Sequence, residues 1–314
     1  MDWGVSLSLL RWGIVGYGAA IFIIYLITMI IGVLIFQLLL RHQHEQVSFW
    51  QAFSVINLGQ FLGLITPITG GAFIGKPLLA KFLAKLSLSK SISAIAFENF
   101  FGLAWQLASL PILLVILGEK IFLVNSVLKW ALIFIVVLIF GYVAHQRHWF
   151  IPQLIKLKRL VPQRLRRLAR SFGVTEKGIK ETIDSLPEYL KQKPLLARLS
   201  FLVGVQALIL PVQLYIALRY YDLHLGLFTI FALYWVSYIL GRLSILPAGL
   251  GVKDVTLGGL LIGVGVASST AIKVVLIFRF LTLIPPILIG AVLALIYAKD
   301  FKELIKEKKA MLSQ

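Results

Sequence analysis

The sequence contains no cysteine, which excludes disulfides and thiolate metal sites. Charge is scarce and one-sided. Only 14% of the 314 residues are charged, and 31 Lys or Arg stand against 13 Asp or Glu, a formal net charge of +18. Soluble domains carry about a quarter charged residues, so this chain lacks the material for an ordinary water-facing surface. Catalytic and nucleotide signatures are missing too: no Walker sequence, Gly-rich dinucleotide loop, zincin motif or Ser nucleophile elbow occurs. Work driven by ATP bound to this chain is therefore not expected, and neither is a cofactor. His42-x-His44 and His145-x-x-His148 fall at the edges of apolar runs, and no metal site is expected from them.

What the chain has in quantity is apolar surface. Hydrophobic residues make up 59% of it and the mean hydropathy is +0.92. Apolar runs recur over 14–40, 48–66, 72–88, 91–118, 121–144, 197–219, 226–246, 250–266 and 270–298, many near the length of about 20 residues that crosses roughly 30 Å of hydrocarbon. In lipid every backbone polar group must be satisfied internally, and runs this long and uniform do not suit the alternating strands of a barrel. The expected fold is all-α, a polytopic membrane protein forming one membrane domain over 1–314. Lys and Arg lie mainly between the apolar runs, so the positive charge suits anionic lipid heads and no nucleic-acid partner is expected.

Two pairs of runs are broken by Pro and Gly. Thr66-Pro67-Ile68-Thr69-Gly70-Gly71 divides the first pair and Leu246-Pro247-Ala248-Gly249-Leu250-Gly251 the second. Pro removes a backbone donor and Gly permits positive φ, so each should interrupt a helix and make a re-entrant hairpin. Sidedness follows from the linker at 145–196. From His145 to Arg198 the chain carries thirteen Lys or Arg against Glu176, Glu181, Asp184 and Glu188, and the positive-inside bias assigns this segment to the cytoplasm. The C-terminal tail, with Lys299, Lys302, Lys306, Lys308 and Lys309, belongs there too. Counting spans from the linker, the first hairpin opens from the inside and the second from the outside. The halves also read alike: Pro67 to Glu98 spans 31 residues and Pro247 to Arg279 spans 32. An inverted repeat is expected, with its first copy over about 48–118 and its second over about 226–298, an arrangement in which substrate sites lie near the midplane where broken helices meet.

A charge at membrane depth costs several kcal/mol unless paired or wet, so Lys76, Glu98, Arg242, Lys253, Asp254, Lys273 and Arg279 form a short list of candidates. Lys253 and Asp254 follow the second break directly, where a half-helix N-terminus suits phosphate or carboxylate, and Lys76 holds the comparable place after the first. Mutual neutralisation, for instance of Glu98 by Arg279, is the competing structural role, and Lys273 suits snorkelling. Asn57, Gln60, Asn99, Gln106, Tyr234, Ser237 and Tyr238 add polar groups at similar depth, either as lining or as packing between helices. In the linker, Leu154-Ile155-Lys156-Leu157-Lys158-Arg159-Leu160 reads as an amphipathic helix on the anionic inner leaflet.

The run Leu246-Pro247-Ala248-Gly249-Leu250-Gly251-Val252-Lys253-Asp254, followed by Phe278-Arg279-Phe280, resembles the flippase-like membrane domain of the lysylphosphatidylglycerol synthase family. That family carries a Pro-Gly-Gly-x-Gly-x-Arg-Glu-like signature in its second half, and Lys253 and Asp254 match its basic and acidic positions conservatively. Its first-half Pro-Gly-Arg-x-Gly-Glu-like signature is met only by Pro67 and Gly71, with Thr69 and Ala72 at the Arg and Glu positions. Glu98-Asn99 meets the family's Glu-Arg with the acid kept and the base lost. The resemblance runs from about Trp12 nearly to the end, and relative to the family an N-terminal span is expected to be missing. In two-domain members the membrane part is associated with moving lipid between leaflets while a soluble domain performs aminoacyl transfer. The longest polar stretch here is about fifty residues, so the resemblance implies a multi-pass membrane transporter rather than an enzyme. Its expected substrate is an anionic amphiphile, phospholipid or polyprenyl-phosphate in type. Lys76, Glu98, Lys253, Asp254 and Arg279 are its expected substrate-binding residues, and membrane lipids its expected partners. A membrane-embedded transferase with Asp254 or Glu98 as base, and an accessory docking a glycosyltransferase through the linker, stand as alternatives.

Overall fold

The computed structural model describes residues 3–65, 71–120, 188–243 and 251–300. These form α1 (Trp3–His42), α2 (Phe49–Ile65), α3 (Gly71–Leu83), α4 (Leu88–Lys120), α5 (Lys193–Tyr220), α6 (Leu227–Leu243), α7 (Val252–Gly263) and α8 (Ser268–Ile296), with no strand among the described residues. The chain is an all-α polytopic membrane protein. Val15–His42 of α1, α5 and α8 are each long and apolar enough to cross a bilayer. The hairpin helices are shorter: α2 and α6 have 17 residues each, about 25 Å at 1.5 Å per residue. Helix α4 has 33 residues, and its Asn99 and Gln106 accept hydrogen bonds from Arg242 of α6 inside the bundle. Helix α5 begins at Lys193 with Pro194 in its first turn, so the last residues of the predicted linker belong to a membrane helix. The expected span 121–144 and the linker up to 187 lie outside the described residues, as do Pro67, Thr69 and Pro247.

Contacts at the helix ends fix which ends share a face. At one end of the bundle Lys90 at the start of α4 pairs with Glu45 just after α1 at 2.8 Å, Gln51 at the start of α2 donates to the Leu83 carbonyl closing α3, and Tyr297 after α8 meets Ser54 of α2 at 3.2 Å. Gln43 donates to Tyr189, just ahead of α5, at the same end. At the other end Tyr17 of α1 meets Tyr220 of α5 edge to face, ring centroids 5.4 Å apart. The α2–α3 hairpin therefore begins and finishes where α1 ends, whereas α6–α7 begins and finishes where α5 ends.

Packing is reciprocal. Helix α2 packs on α3 and on α8, while α6 packs on α7 and on α4, so each hairpin leans on the long helix that follows the other. Two apolar cores result. One gathers Phe36, Leu39, Val55, Ile56, Leu79 and Phe97 around the first hairpin; the other gathers Leu214, Leu233, Leu257, Leu261, Val274 and Phe278 around the second. Phe97 lies in the first core and Phe278 in the second, so Glu98 and Arg279, which follow them, stand where α4 and α8 leave one core for the other.

Candidate functional site

Glycine sets the depth of each hairpin. An added Cβ at Gly59 on α2 would fall 2.3 Å from Cγ of Lys76, and one at Gly241 on α6 would fall 2.7 Å from Cβ of Lys253. Each basic residue of a short helix thus lies against a glycine of its hairpin partner, where a larger residue would push the two helices of the hairpin apart. The signal was present in the sequence, since each glycine stands six to eight residues before its Pro, but apolar periodicity does not distinguish it from any other helical glycine.

At the second break Gly251 adopts φ +82°, the left-handed region open to glycine at no steric cost. Its N–H donates to Oδ2 of Asp254 at 3.2 Å, the acid three residues on folding back over the helix start. Asp254 Oδ1 faces Nη1 of Arg279 at 3.7 Å, with the two side chains only 26% and 17% exposed. Arg279 keeps Nε and Nη2 buried with no hydrogen-bond partner among the described residues. One turn further along α8 the Thr282 hydroxyl reaches the carbonyls of Phe278 and Arg279 at 2.8 and 3.1 Å, a side-chain bond of the kind that bends helices. The break therefore presents one guanidinium with two unused donors beside a carboxylate and the amides of a half-helix.

Lys253, next to Asp254 in the chain, packs its ammonium among aromatic rings. Its Nζ sits 5.3, 5.2 and 5.3 Å from the ring centroids of Tyr234, Tyr238 and Phe278, within cation–π range of all three. Tyr234 and Tyr238, expected either as lining or as packing, contribute ring faces. Ser237 is buried and donates to the Tyr234 carbonyl, and Asn57 and Gln60 accept from the Tyr25 hydroxyl at 2.9 and 3.1 Å. All three polar groups are engaged in helix packing.

Arg242 joins α6 to α4: Nη1 donates to Gln106 Oε1 at 3.2 Å, and Nη2 to the carbonyl and Oδ1 of Asn99 at 3.1 and 3.0 Å. It has no carboxylate partner among the described residues, where neutral dipoles solvate its charge. The predicted set of five binding residues omits it. Glu98, next to Asn99, buries Oε2 without a hydrogen-bond partner among the described residues. It does not pair with Arg279, whose partner is Asp254, because Asp254 shares the second hairpin's corner with α8 whereas Glu98 belongs to α4. Lys273 is exposed five residues into α8, at the position of a snorkelling residue. Of the predicted set the structure brings Asp254 and Arg279 into contact, holds Lys253 beside them in an aromatic cage, and keeps Lys76 on the other hairpin.

These features lie inside the region that matches a known family. Residues 2–290 match the model described as lysylphosphatidylglycerol synthase TM region. The chain is also 23% identical over 262 residues to a protein of Methanothermobacter thermautotrophicus described as a UPF0104 membrane protein, covering 79% of this chain and 74% of that one. The chain is a member of the lysylphosphatidylglycerol synthase TM region family.

Proposed function

We propose that this protein moves an anionic amphiphile, phospholipid or polyprenyl-phosphate in type, between leaflets, binding its head group at the start of α7. The observation that carries the reading is Arg279, whose two buried donors have no partner among the described residues although the residue lies beside a half-helix N-terminus that attracts anions. Unsatisfied guanidinium nitrogens at membrane depth are costly, and a phosphate, with its bidentate geometry, would satisfy both. Lys253 and Lys76 add positive charge near each hairpin tip, and Asp254 and Glu98 are the groups that would exchange a proton or respond to the substrate. The hairpins' openings at opposite ends of the bundle support inverted repeats alternating about one site. The basic bias of the linker and of Lys81, Lys85 and Lys90 supports a cytoplasmic end at α4's start.

Exchange of head-group-labelled lipids in liposomes tests this, with wild type beside Lys253→Ala/Asp254→Ala. Selective exchange of anionic lipids that disappears in the variant is expected; undiminished exchange in the variant would remove the site. The enzyme reading rests on Glu98, whose buried oxygen without a partner could act as a base toward a lipid-linked acceptor. Product formed without leaflet exchange, and lost in Glu98→Gln, would favour it.

A further inference from the structure

Away from the hairpin tips, a groove of about 530 Å³ runs between the last turns of α1 and the first turns of α5, lined by Leu34, Leu38 and Arg41 on one side and Arg198, Phe201 and Leu202 on the other. Its volume is that of ligand sites, roughly 300–1,000 Å³. The lining is ordered by depth. Leu34, Leu38 and Arg41 recur at helical spacing along α1, with Arg41 in its last turn; Arg198 precedes Phe201 and Leu202 along α5, which runs the other way. Both guanidinium groups therefore lie toward the bundle end and both apolar walls toward the membrane interior. Phe201 is 70% exposed and Leu34 43% exposed, leaving an open apolar wall beneath two cations.

The charges are unbalanced among the described residues. Neither Arg41 nor Arg198 has an ion-pair partner among the described residues. The first turn of α5 carries no acid, so the positive end of its dipole adds to Arg198 and Lys193 instead of being offset. Gln37, the other polar group lining the groove, spends its amide nitrogen on the Val47 carbonyl at 2.8 Å. The linker at 145–196 is net basic. Two guanidinium forks above an apolar wall match one ligand chemistry, a phosphodiester on a hydrocarbon chain.

We propose that the α1–α5 groove is a binding site for one anionic phospholipid, its phosphate held between Arg41 and Arg198 and an acyl chain laid along Leu34, Leu38, Phe201 and Leu202. The site is separate from the hairpin tips and does not rest on the transport reading, because its test reads binding and not exchange. The full-length protein, purified and placed in phosphatidylcholine nanodiscs with a minor fraction of phosphatidylglycerol, is compared with Arg41→Gln/Arg198→Gln and with Leu38→Trp, which fills the groove and keeps both charges. Native mass spectrometry counts retained lipid, and thermal unfolding in lipid-free detergent confirms that each variant folds. Wild type should retain one phosphatidylglycerol in preference to phosphatidylcholine. The double variant should bind it roughly 30-fold more weakly, the factor two interfacial basic residues contribute together, and Leu38→Trp should lose it as well. Equal retention in wild type and the folded double variant would overturn the proposal. So would equal retention of phosphatidylcholine, full competition by soluble glycerol phosphate, which would make this a site for free anions, or a dimer that dissociates in Leu38→Trp, which would give the groove to a second copy of the chain.

Discussion

Replacing Gly241 by alanine puts a methyl group where α6 and α7 come closest. Alanine in a helix interior ordinarily gains about 0.5–1 kcal/mol over glycine. Here the new Cβ would stand 2.7 Å from Cβ and 3.3 Å from Cα of Lys253, both fixed to the backbone of α7, so the neighbour cannot yield by changing rotamer. Overpacking of this kind costs about 1–3 kcal/mol, and contact with backbone puts it in the upper part of that range. The net effect is a loss of roughly 1–2 kcal/mol, together with a displacement of α7 that carries Lys253 off its three rings. Gly259→Ala, on the facing helix α7 with nothing within 4 Å of the added Cβ, is the matched control and should be neutral or slightly stabilising. Thermal unfolding of both variants in detergent, followed by lipid exchange in liposomes, reads the two consequences separately. A Gly241→Ala protein that unfolds at or above the temperature of Gly259→Ala and exchanges lipid like wild type would refute the close approach and the dependence of the site on it.

Other outcomes follow from the same contacts. Asp254→Asn keeps an acceptor for the Gly251 amide but removes the charge facing Arg279, so exchange should fall while stability stays near wild type; Asp254→Ala should lose the same activity plus about 0.5–2 kcal/mol of helix-start stabilisation. Equal unfolding temperatures for the two would contradict the capping role. Arg242→Met strands the Asn99 and Gln106 oxygens and should cost roughly 1–3 kcal/mol, with Lys at 242 a poor rescue because one ammonium cannot reproduce the guanidinium fork. Rescue by Lys in an unfolding assay would show that the charge alone matters. Tyr189, buried at the bundle end beside Gln43 and stacked on Phe97, has its phenol pushed up to about 12 from 10.0, mainly by burial. The contribution of its neutral form is complete below pH 10 and is lost as pH rises from 10 to 12, so Tyr189→Phe should flatten the alkaline limb of stability in that window.

Much of the fold was legible in the sequence because lipid leaves the backbone few choices. Apolar runs had to become helices, and the boundaries at α2, α3, α6 and α7 follow the Pro-Gly breaks within a few residues. Lys253, Asp254 and Arg279 could be singled out from cost alone, since a charge at that depth needs a reason. The partners of those charges could not. A span of similar apolar letters gives no sign of which helix face meets which neighbour, and so the sequence suggested a Glu98–Arg279 pair where the structure contains Asp254–Arg279.

The sequence by itself determined the solvent, the helical class, the positions of the two breaks and the short list of candidate charges, all of which follow from composition and local backbone chemistry. The tertiary structure decided the rest. It set which hairpin leans on which long helix, turned Lys253 into three aromatic rings, gave Arg242 neutral partners and left Arg279 with unused donors among the described residues, and opened the Arg-rimmed groove between α1 and α5. Those outcomes depend on contacts between residues far apart in the chain, and on close approaches such as Gly241 to Lys253, where one missing Cβ allows two helices to meet.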